Sequence, residues 1–139
     1  MSRGWLIDTN IISEWVKPRP DVAVVRWLEE VDEDRAFLSV ISLAEIRFGV
    51  ERLPPGRRRT RLNHWLREEL PTRFEGRIVP VDEEVADACG RLLAQARGSG
   101  RGLEAMDALI AATCEARDLV LATRNLADFE DLGIELHAL

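Results

Sequence analysis

Short apolar runs alternate with longer segments of helical periodicity along this chain. The apolar runs, each bounded by polar or turn residues, predict strands. These runs cover residues 5–7, 36–40, 77–81 and 119–122, and 134–136 is predicted to add an edge strand. Strands that alternate with helices favour an α/β fold with a mainly parallel central sheet flanked by helices.

The helical segments have recognisable starts and stops. Thr9, Asp21, Ser42 and Asp82 stand where N-cap residues are expected, and proline or glycine follows several segments. The predicted helices span residues 9–15, 21–31, 42–53, 57–70, 82–98 and 104–117. Neither an internal repeat nor a linker interrupts the 139 residues, so residues 1–139 are expected to form one domain.

Asp8 directly follows the first predicted strand. In open parallel sheets the binding crevice lies outside the carboxyl ends of the strands, so this position favours a functional carboxylate. A helix cap or a turn aspartate is the alternative. Thr9 could supply that cap, which would leave Asp8 free for chemistry.

Glu45 has two interpretations. Ser42 and Glu45 fit a capping box, in which the glutamate bonds back to the backbone of the cap residue. Glu45 also shares a helix face with Ile41 and Phe48, which favours a side chain that points into a cleft. On these residues alone the capping box is favoured.

Asp107 is the only charged residue between positions 105 and 114. Ile110 and Ala111 follow at helical spacing, so the carboxylate belongs to an apolar face. An unpaired buried carboxylate costs several kcal/mol, whereas a favourable helix dipole contributes only ~0.3–1 kcal/mol. We therefore expect Asp107 to hold a cation.

Thr123, Asn125 and Asp128 follow the predicted strand at 119–122 and bring further oxygen atoms to the same sheet edge. Asp128 could equally begin a turn. Several acids without lysine or histidine partners would repel one another unless a divalent cation neutralised them. Oxygen ligands select a hard ion such as Mg²⁺ or Mn²⁺.

The composition excludes several classes of enzyme. Acidic residues number 25 against 19 basic residues, and Lys17 is the only lysine, so a Gly-Lys-Ser/Thr phosphate loop is absent. The chain also lacks His-Glu-x-x-His, Cys-x-x-Cys and Gly-x-Ser-x-Gly motifs. An aspartyl-phosphate enzyme would commonly have a second aspartate at position 10, where this chain has Asn10.

Two further features concern location and binding partners. No apolar run is long enough to span a bilayer, and Cys89 and Cys114 are expected to be reduced thiols, which predicts a cytoplasmic protein. Nine arginines and four acidic residues lie between positions 47 and 77 of a chain whose net charge is −6. This basic segment suggests RNA contact, or equally a solvated helix face or a surface for an acidic partner. The candidate RNA contacts are Arg57, Arg58, Arg59 and Arg61.

Four segments, in this order, resemble PIN-domain nucleases, and the resemblance covers essentially the whole chain. They are Leu6-Ile7-Asp8-Thr9-Asn10, Ser42-Leu43-Ala44-Glu45-Ile46-Arg47-Phe48-Gly49, Met106-Asp107-Ala108-Leu109-Ile110-Ala111-Ala112 and Thr123-Arg124-Asn125-Leu126-Ala127-Asp128-Phe129. The length and residues 8–14 are similar to VapC toxins, in particular their FitB-like branch.

The resemblance implies a three-layer PIN-like fold and a ribonuclease dependent on Mg²⁺ or Mn²⁺ that leaves a 5′-phosphate and a 3′-hydroxyl. It implies that Asp8, Glu45 and Asp107 are the catalytic metal ligands. The fourth acidic position of the family falls at Asn125, an amide, so either Asp128 compensates or the site works with three acids. Thr9, Asn10 and Thr123 match positions that line the site of the family.

The resemblance also implies protein partners: a VapB-like antitoxin and a second copy of the chain. The four tryptophans suggest interfaces, because they are many for so small a core. An antitoxin helix is expected to lie over Ile11, Ile12, Trp15 and Val16 and to send an arginine among the acids. The alternative is a catalytically silent PIN-like module that acts only by binding a protein partner.

Overall fold

A computed structural model describes residues 3–139. Five strands form one sheet in the order β3-β2-β1-β4-β5, and every neighbouring pair is parallel. The strands are β1 (Trp5–Ile7), β2 (Ala36–Ser39), β3 (Ile78–Val79), β4 (Val120–Thr123) and β5 (Leu136–Ala138). The predicted α/β fold with a parallel central sheet is confirmed.

Helices connect consecutive strands, as parallel pairing requires. They are α1 (Thr9–Ile12), α2 (Val22–Glu30), α3 (Val40–Glu51), α4 (Arg57–His64), α5 (Leu70–Arg73), α6 (Glu83–Gly98), α7 (Ala105–Arg117) and α8 (Leu126–Phe129). A 3₁₀ turn, Ser13–Val16, extends α1, and a π-helical turn, Trp65–Glu69, joins α4 to α5. The long arginine-rich helix therefore exists but contains this turn. Pro71, which has no N–H to donate to the preceding turn, lies two residues beyond it.

The hydrophobic core has two halves, one on each face of the sheet. Leu6 packs with α6, α7 and Leu121, whereas its neighbour Ile7 packs on the opposite face with α1, α2, α3 and Leu38. This alternation follows from the two-residue period of a strand. β1 is the central strand of the sheet, and both of its faces are buried. This burial explains why all of its residues are apolar.

Two predicted helix caps are wrong. Asp8, not Thr9, is the N-cap of α1, and its carboxylate accepts the N–H of Thr9. Ser39, not Ser42, caps α3, so that helix begins at Val40. The capping box of Ser42 and Glu45 does not form, because both residues already lie inside the helix.

The edge strand β5 lies two residues beyond the predicted position. Its register is set by backbone bonds from Leu121 to Glu135 at 2.9 Å and from Leu139 to Thr123 at 3.2 Å. Residues 134–136 are more apolar than 136–138, but the ladder with β4 decides which residues pair. Pattern alone could not locate this edge strand.

The tryptophans pack within the chain. Trp65 is buried, and Trp5 and Trp27 meet edge to face with ring centroids 5.6 Å apart. Trp15 packs against Phe74 with a centroid separation of 6.4 Å. Their number therefore gives no support to a dimer interface. Within residues 3–139, the exposed large apolar side chains are instead Val22, Phe48, Val81 and Met106.

Both cysteines are buried and unbridged, as predicted. Burial raises the pKa of the Cys89 and Cys114 thiols, which keeps both protonated and unreactive. Within residues 3–139, no helix combines the length and the apolar character that crossing a membrane requires.

Gly4 lies where β1 approaches β2. A Cβ at this position would come within 2.9 Å of the backbone oxygen of Arg35. We therefore predict that Gly4→Ala lowers the free energy of unfolding by about 1–3 kcal/mol, as overpacking does. Urea denaturation measures this change.

Gly90 provides the matched control because a Cβ there would meet nothing within 4 Å. Gly90 lies inside α6, so Gly90→Ala should raise the free energy of unfolding by about 0.5–1 kcal/mol. Equal effects of the two substitutions would contradict the packing of β1 against β2 described here.

Candidate metal centre

Asp8 joins the carboxyl ends of the two central strands. Its backbone N–H donates to the carbonyl of Ala122 at 3.0 Å, which continues the ladder between β1 and β4. Its carboxylate accepts the N–H of Thr9 and the hydroxyl of Thr123, each at 2.7 Å. Asp8 is only 7% exposed, and burial raises its pKa despite these two hydrogen bonds.

Glu45 reaches the same region from α3. The hydroxyl of Thr9 donates to the Glu45 carboxylate at 2.7 Å and lies 2.9 Å from the hydroxyl of Ser42. A hydroxyl carries one proton, so Ser42 donates to Thr9 while Thr9 donates to Glu45. The second interpretation of Glu45, a side chain pointing into a cleft, therefore matches the structure. Ser42 is a site residue that the sequence analysis missed, although its spacing from Glu45 places both on one helix face.

Asp107 lies half-buried in the first turn of α7. Burial, followed by the charges of Asp128, Asp8 and Glu104, raises its pKa from 3.8 to about 6. Burial and the charges of Asp107 and Glu104 likewise raise the pKa of Glu45. These mutual repulsions show that the predicted acids gather in one place.

Asp128 lies on α8, and its negative charge raises the pKa of both Asp8 and Asp107. We call Asp8, Glu45, Asp107 and Asp128 the acidic cluster. Asn125 precedes α8 and is exposed, and its backbone N–H donates to the Thr123 hydroxyl at 3.0 Å.

Asn10, on α1, has an amide whose oxygen and nitrogen are both buried without a hydrogen-bond partner within residues 3–139. A buried amide without partners is costly and is usually satisfied by something outside the chain itself. Its position two residues after Asp8 fits a group that contacts water or a ligand at the acidic cluster.

The acidic cluster has the donor chemistry of an open Mg²⁺ or Mn²⁺ site. Within residues 3–139, no arginine or lysine pairs with Asp8, Glu45 or Asp107, and no three His, Cys, Asp or Glu side chains enclose a metal position. Mg²⁺ commonly takes one or two carboxylates and keeps several waters, so it needs no closed cage. The residues present fit such an ion.

A groove of about 250 Å³ borders the acidic cluster. Its lining includes Thr9 and Glu45 together with the apolar side chains of Val16 and Leu53 and the exposed side chain of Arg58. The expected antitoxin surface is partly wrong: Ile11 and Ile12 are completely buried in the core and cannot contact a partner.

The four candidate RNA contacts differ in their surroundings. Arg59 forms an ion pair with Glu51 and is half-buried. Arg57, Arg58 and Arg61 are exposed, and within residues 3–139 none of them forms an ion pair. Arg58 alone of the four lines the groove beside Glu45.

A parallel sheet with carboxylates gathered at the ends of its central strands defines the class of this protein. The PIN domain family matches residues 5–134, and the chain belongs to this family. The resemblance drawn from the four sequence segments is thereby confirmed.

Sequence relatives of the chain include proteins named as a ribonuclease and as a toxin. The chain is 37% identical to a VapC ribonuclease from Sinorhizobium fredii over 94% of both chains. It is 38% identical to Toxin FitB from Neisseria gonorrhoeae over 89% of both chains. The structure superposes on the crystal structure of FitAcB from Neisseria gonorrhoeae with a TM-score of 0.89 at 36% identity, covering 95% of each chain.

A DNA-bound VapBC from Salmonella typhimurium has the same fold, with a TM-score of 0.80 at 25% identity over 99% of this chain and 98% of that one. The chain is therefore a PIN-domain nuclease homologue of the VapC and FitB toxins.

The raised pKa of Asp107 predicts a stability difference in metal-free protein. A raised carboxyl pKa stabilises the fold below pH 3.8, and this contribution is lost as pH rises to about 6. At pH 7.5 the ionised carboxylate therefore opposes folding. Asp107→Asn should raise the free energy of unfolding there by about 1 kcal/mol, a value already reduced for solvent screening.

Urea denaturation in the presence of a chelator measures this effect at several pH values. The advantage of Asp107→Asn should shrink as the pH falls from 7.5 towards 4.5. A variant less stable than the unsubstituted protein at pH 7.5 would show that Asp107 has a cationic protein partner.

Proposed function

We propose that this protein is a divalent-metal-dependent endoribonuclease and the toxin of a VapBC-type toxin–antitoxin pair. The observation that carries the proposal is the acidic cluster: burial and neighbouring carboxylates raise the pKa of Asp8, Glu45 and Asp107, and within residues 3–139 none of these three has a basic partner. The relationship to proteins named VapC ribonuclease and tRNA(fMet)-specific endonuclease VapC supports RNA as the substrate.

Asp8 and Asp107 would hold Mg²⁺ or Mn²⁺, and Glu45 would bind through water or a second ion. When bound, the ion would neutralise the acidic cluster, lower the pKa of a water molecule and stabilise the charge that develops on the phosphorus oxygens. In-line attack on the phosphodiester would leave a 5′-phosphate and a 3′-hydroxyl.

The chain's own residues set the orientation of these carboxylates. The N–H of Thr9 donates to one carboxylate oxygen of Asp8, and the hydroxyl of Thr123 donates to the other. Each oxygen therefore has one lone pair occupied, and its remaining lone pair has a fixed direction. The relay from Ser42 through Thr9 does the same for Glu45. Hydrogen bonds of this kind orient metal ligands and tune their affinity.

We predict that Asp8→Asn and Asp107→Asn each weaken Mn²⁺ binding by at least about tenfold and slow RNA cleavage by at least about 100-fold, because each removes a charged oxygen ligand. Isothermal titration with Mn²⁺ and gel analysis of a labelled RNA measure the two quantities.

Asp34→Asn is the matched control. Asp34 is exposed and lies just before the amino end of β2, whereas the acidic cluster lies beyond the carboxyl ends of the strands. It should change neither quantity. Cleavage that continues in excess chelator, or that survives both Asp8→Asn and Asp107→Asn, would contradict the proposal.

Arg58 is the arginine best placed to contact the substrate, because it lines the groove that also includes Thr9 and Glu45. We predict that Arg58→Gln weakens binding of a single-stranded RNA by about fivefold, the equivalent of about 1 kcal/mol for one exposed charge contact. The slope of the logarithm of the RNA affinity against the logarithm of the salt concentration should become shallower by about one phosphate contact.

Fluorescence anisotropy of a labelled RNA in a chelator, which prevents cleavage, measures this affinity. Arg97→Gln is the control, because Arg97 is exposed on α6, on the other face of the sheet. Equal RNA affinities of the Arg58 and Arg97 variants would show that Arg58 does not contact the RNA.

We propose a VapB-like antitoxin as the protein partner. Structural neighbours of the chain are VapBC and FitAB toxin–antitoxin complexes, and the groove beside Glu45 offers an apolar surface for a partner helix. An arginine from the partner would find its counter-charge in the acidic cluster.

We also propose a homodimer in the cytoplasm. Exposed Phe48 on α3 and Met106 on α7 lie close in sequence to Glu45 and Asp107, so a dimer that covered them would bring two acidic clusters near each other. The buried, unbridged cysteines suit a reducing compartment.

A catalytically silent module that only binds a protein is the second candidate. The resemblance places the fourth acid of the family at Asn125, an amide, and this departure bears on the number of metal ions more than on activity. Such a protein would keep its antitoxin affinity but would neither bind Mn²⁺ at Asp8 nor cleave RNA, so the metal experiment above separates the two functions.

A further inference from the structure

Glu14 is a buried carboxylate outside the acidic cluster. It is 2% exposed and lies in the 3₁₀ turn that follows α1. One carboxylate oxygen accepts the backbone N–H of Asp21 at 2.8 Å, and the other pairs with Lys17 and with Arg124. These contacts outweigh burial and hold the pKa of Glu14 below its usual value, so this carboxylate is charged.

Arg124 connects two separate carboxylates. Its guanidinium nitrogens lie 3.2 Å from an oxygen of Glu14 and 3.2 Å from an oxygen of Asp21. Asp21 is also the N-cap of α2, where its other oxygen accepts the N–H groups of Ala23 and Val24. Arg124 donates a hydrogen bond to Asp21, whereas its contact with Glu14 is an ion pair without hydrogen-bond geometry. The planar fork of an arginine can reach two carboxylates in this way, whereas the single ammonium of a lysine offers no such fork.

The contacts of Arg124 with Glu14 and Asp21 matter because Arg124 directly follows Thr123 in the chain. We call these two contacts the two-carboxylate bridge. Arg124 lies between Thr123, whose hydroxyl donates to Asp8, and Asn125, whose N–H donates to that same hydroxyl oxygen. The loop after β4 is therefore held on one side at Asp8 and on the other at Glu14. Asp8 and Glu14 themselves belong to one continuous segment, from the end of β1 through α1.

We propose that Arg124, held by Glu14 and Asp21, is a positioning residue that fixes the Thr123 hydroxyl on Asp8 and thereby sets the cation affinity of the acidic cluster. This inference rests on the proposed metal-dependent function. In this role Arg124 would contact neither the substrate nor the cation. It acts through the backbone that it shares with Thr123, which leads into α8 and Asp128.

Titration of the metal-free, full-length protein with Mn²⁺ tests the inference, with thermal unfolding of each variant measured alongside. Arg124→Lys keeps the charge but loses the two-carboxylate bridge. We expect its dissociation constant for Mn²⁺ to rise by about tenfold, the lower end of the range for residues that support metal ligands.

Asp21→Asn provides a second, milder variant. Asparagine caps helices as well as aspartate does, so α2 should remain intact while Arg124 loses one partner. Its Mn²⁺ affinity should fall by about threefold, less than that of Arg124→Lys, because the contact to Glu14 remains.

Arg117→Lys is the matched control. Arg117 also pairs with two carboxylates, Asp82 and Glu84, and its side chain is 31% exposed against 34% for Arg124. It lies at the opposite end of α7 from Asp107. Arg117→Lys should lower thermal stability to a similar degree and leave the Mn²⁺ affinity unchanged.

The outcomes separate this inference from the proposed function. If Asp8→Asn abolishes Mn²⁺ binding while Arg124→Lys and Asp21→Asn bind like the unsubstituted protein, the metal centre stands and the positioning role is wrong. Equal losses of affinity in the Arg124 and Arg117 variants would also overturn the role, since they would reflect general stability. If Asp8→Asn leaves Mn²⁺ binding intact, both the metal centre and the positioning role fail.

Discussion

Repulsion among carboxylates in a partly buried site is the constraint on which this molecule depends. Burial and neighbouring negative charges raise the pKa of Asp8, Glu45 and Asp107 together, and within residues 3–139 none of these three has a basic partner. Folding alone would not favour such a group of charges. The proposed divalent cation would turn this repulsion into affinity.

The parallel sheet makes this concentration of charge possible. Because β1 and β4 are adjacent and parallel, their carboxyl ends lie side by side and place Asp8 next to Thr123. The hydroxyl of Thr123 donates to the Asp8 carboxylate, so this hydrogen bond joins the two strands just beyond their backbone ladder. The apolar side chains of β1 and β4 are buried on both faces of the sheet apart from the partly buried Trp5, and this burial supplies stability that the acidic edge does not. The hydroxyls of Thr9, Ser42 and Thr123 orient the acids without adding a positive charge that would compete with a cation.

Local sequence patterns predicted most of the helices and strands and singled out Asp8 and Asp107. They did not predict the contacts between residues that lie far apart in the chain. Asp8 after an apolar run and Asp107 within an apolar helix are conspicuous, because each violates its immediate surroundings. On sequence alone Glu45 matched a capping box better than a cleft residue, and only its bond to Thr9, 36 residues away in the chain, decides for the cleft. The bridge from Glu14 to Arg124 joins residues from opposite ends of the chain, and no local pattern indicates it.

A crystal structure of the Mn²⁺-soaked protein, with anomalous scattering recorded at the manganese edge, tests the central claim most directly. The claim predicts an anomalous peak bound to carboxylate oxygens of Asp8 and Asp107 at about 2.1–2.2 Å, with water completing the coordination. A structure in which those carboxyl groups lie more than ~8 Å apart, with no shared peak, would contradict it, because one ion could not reach both.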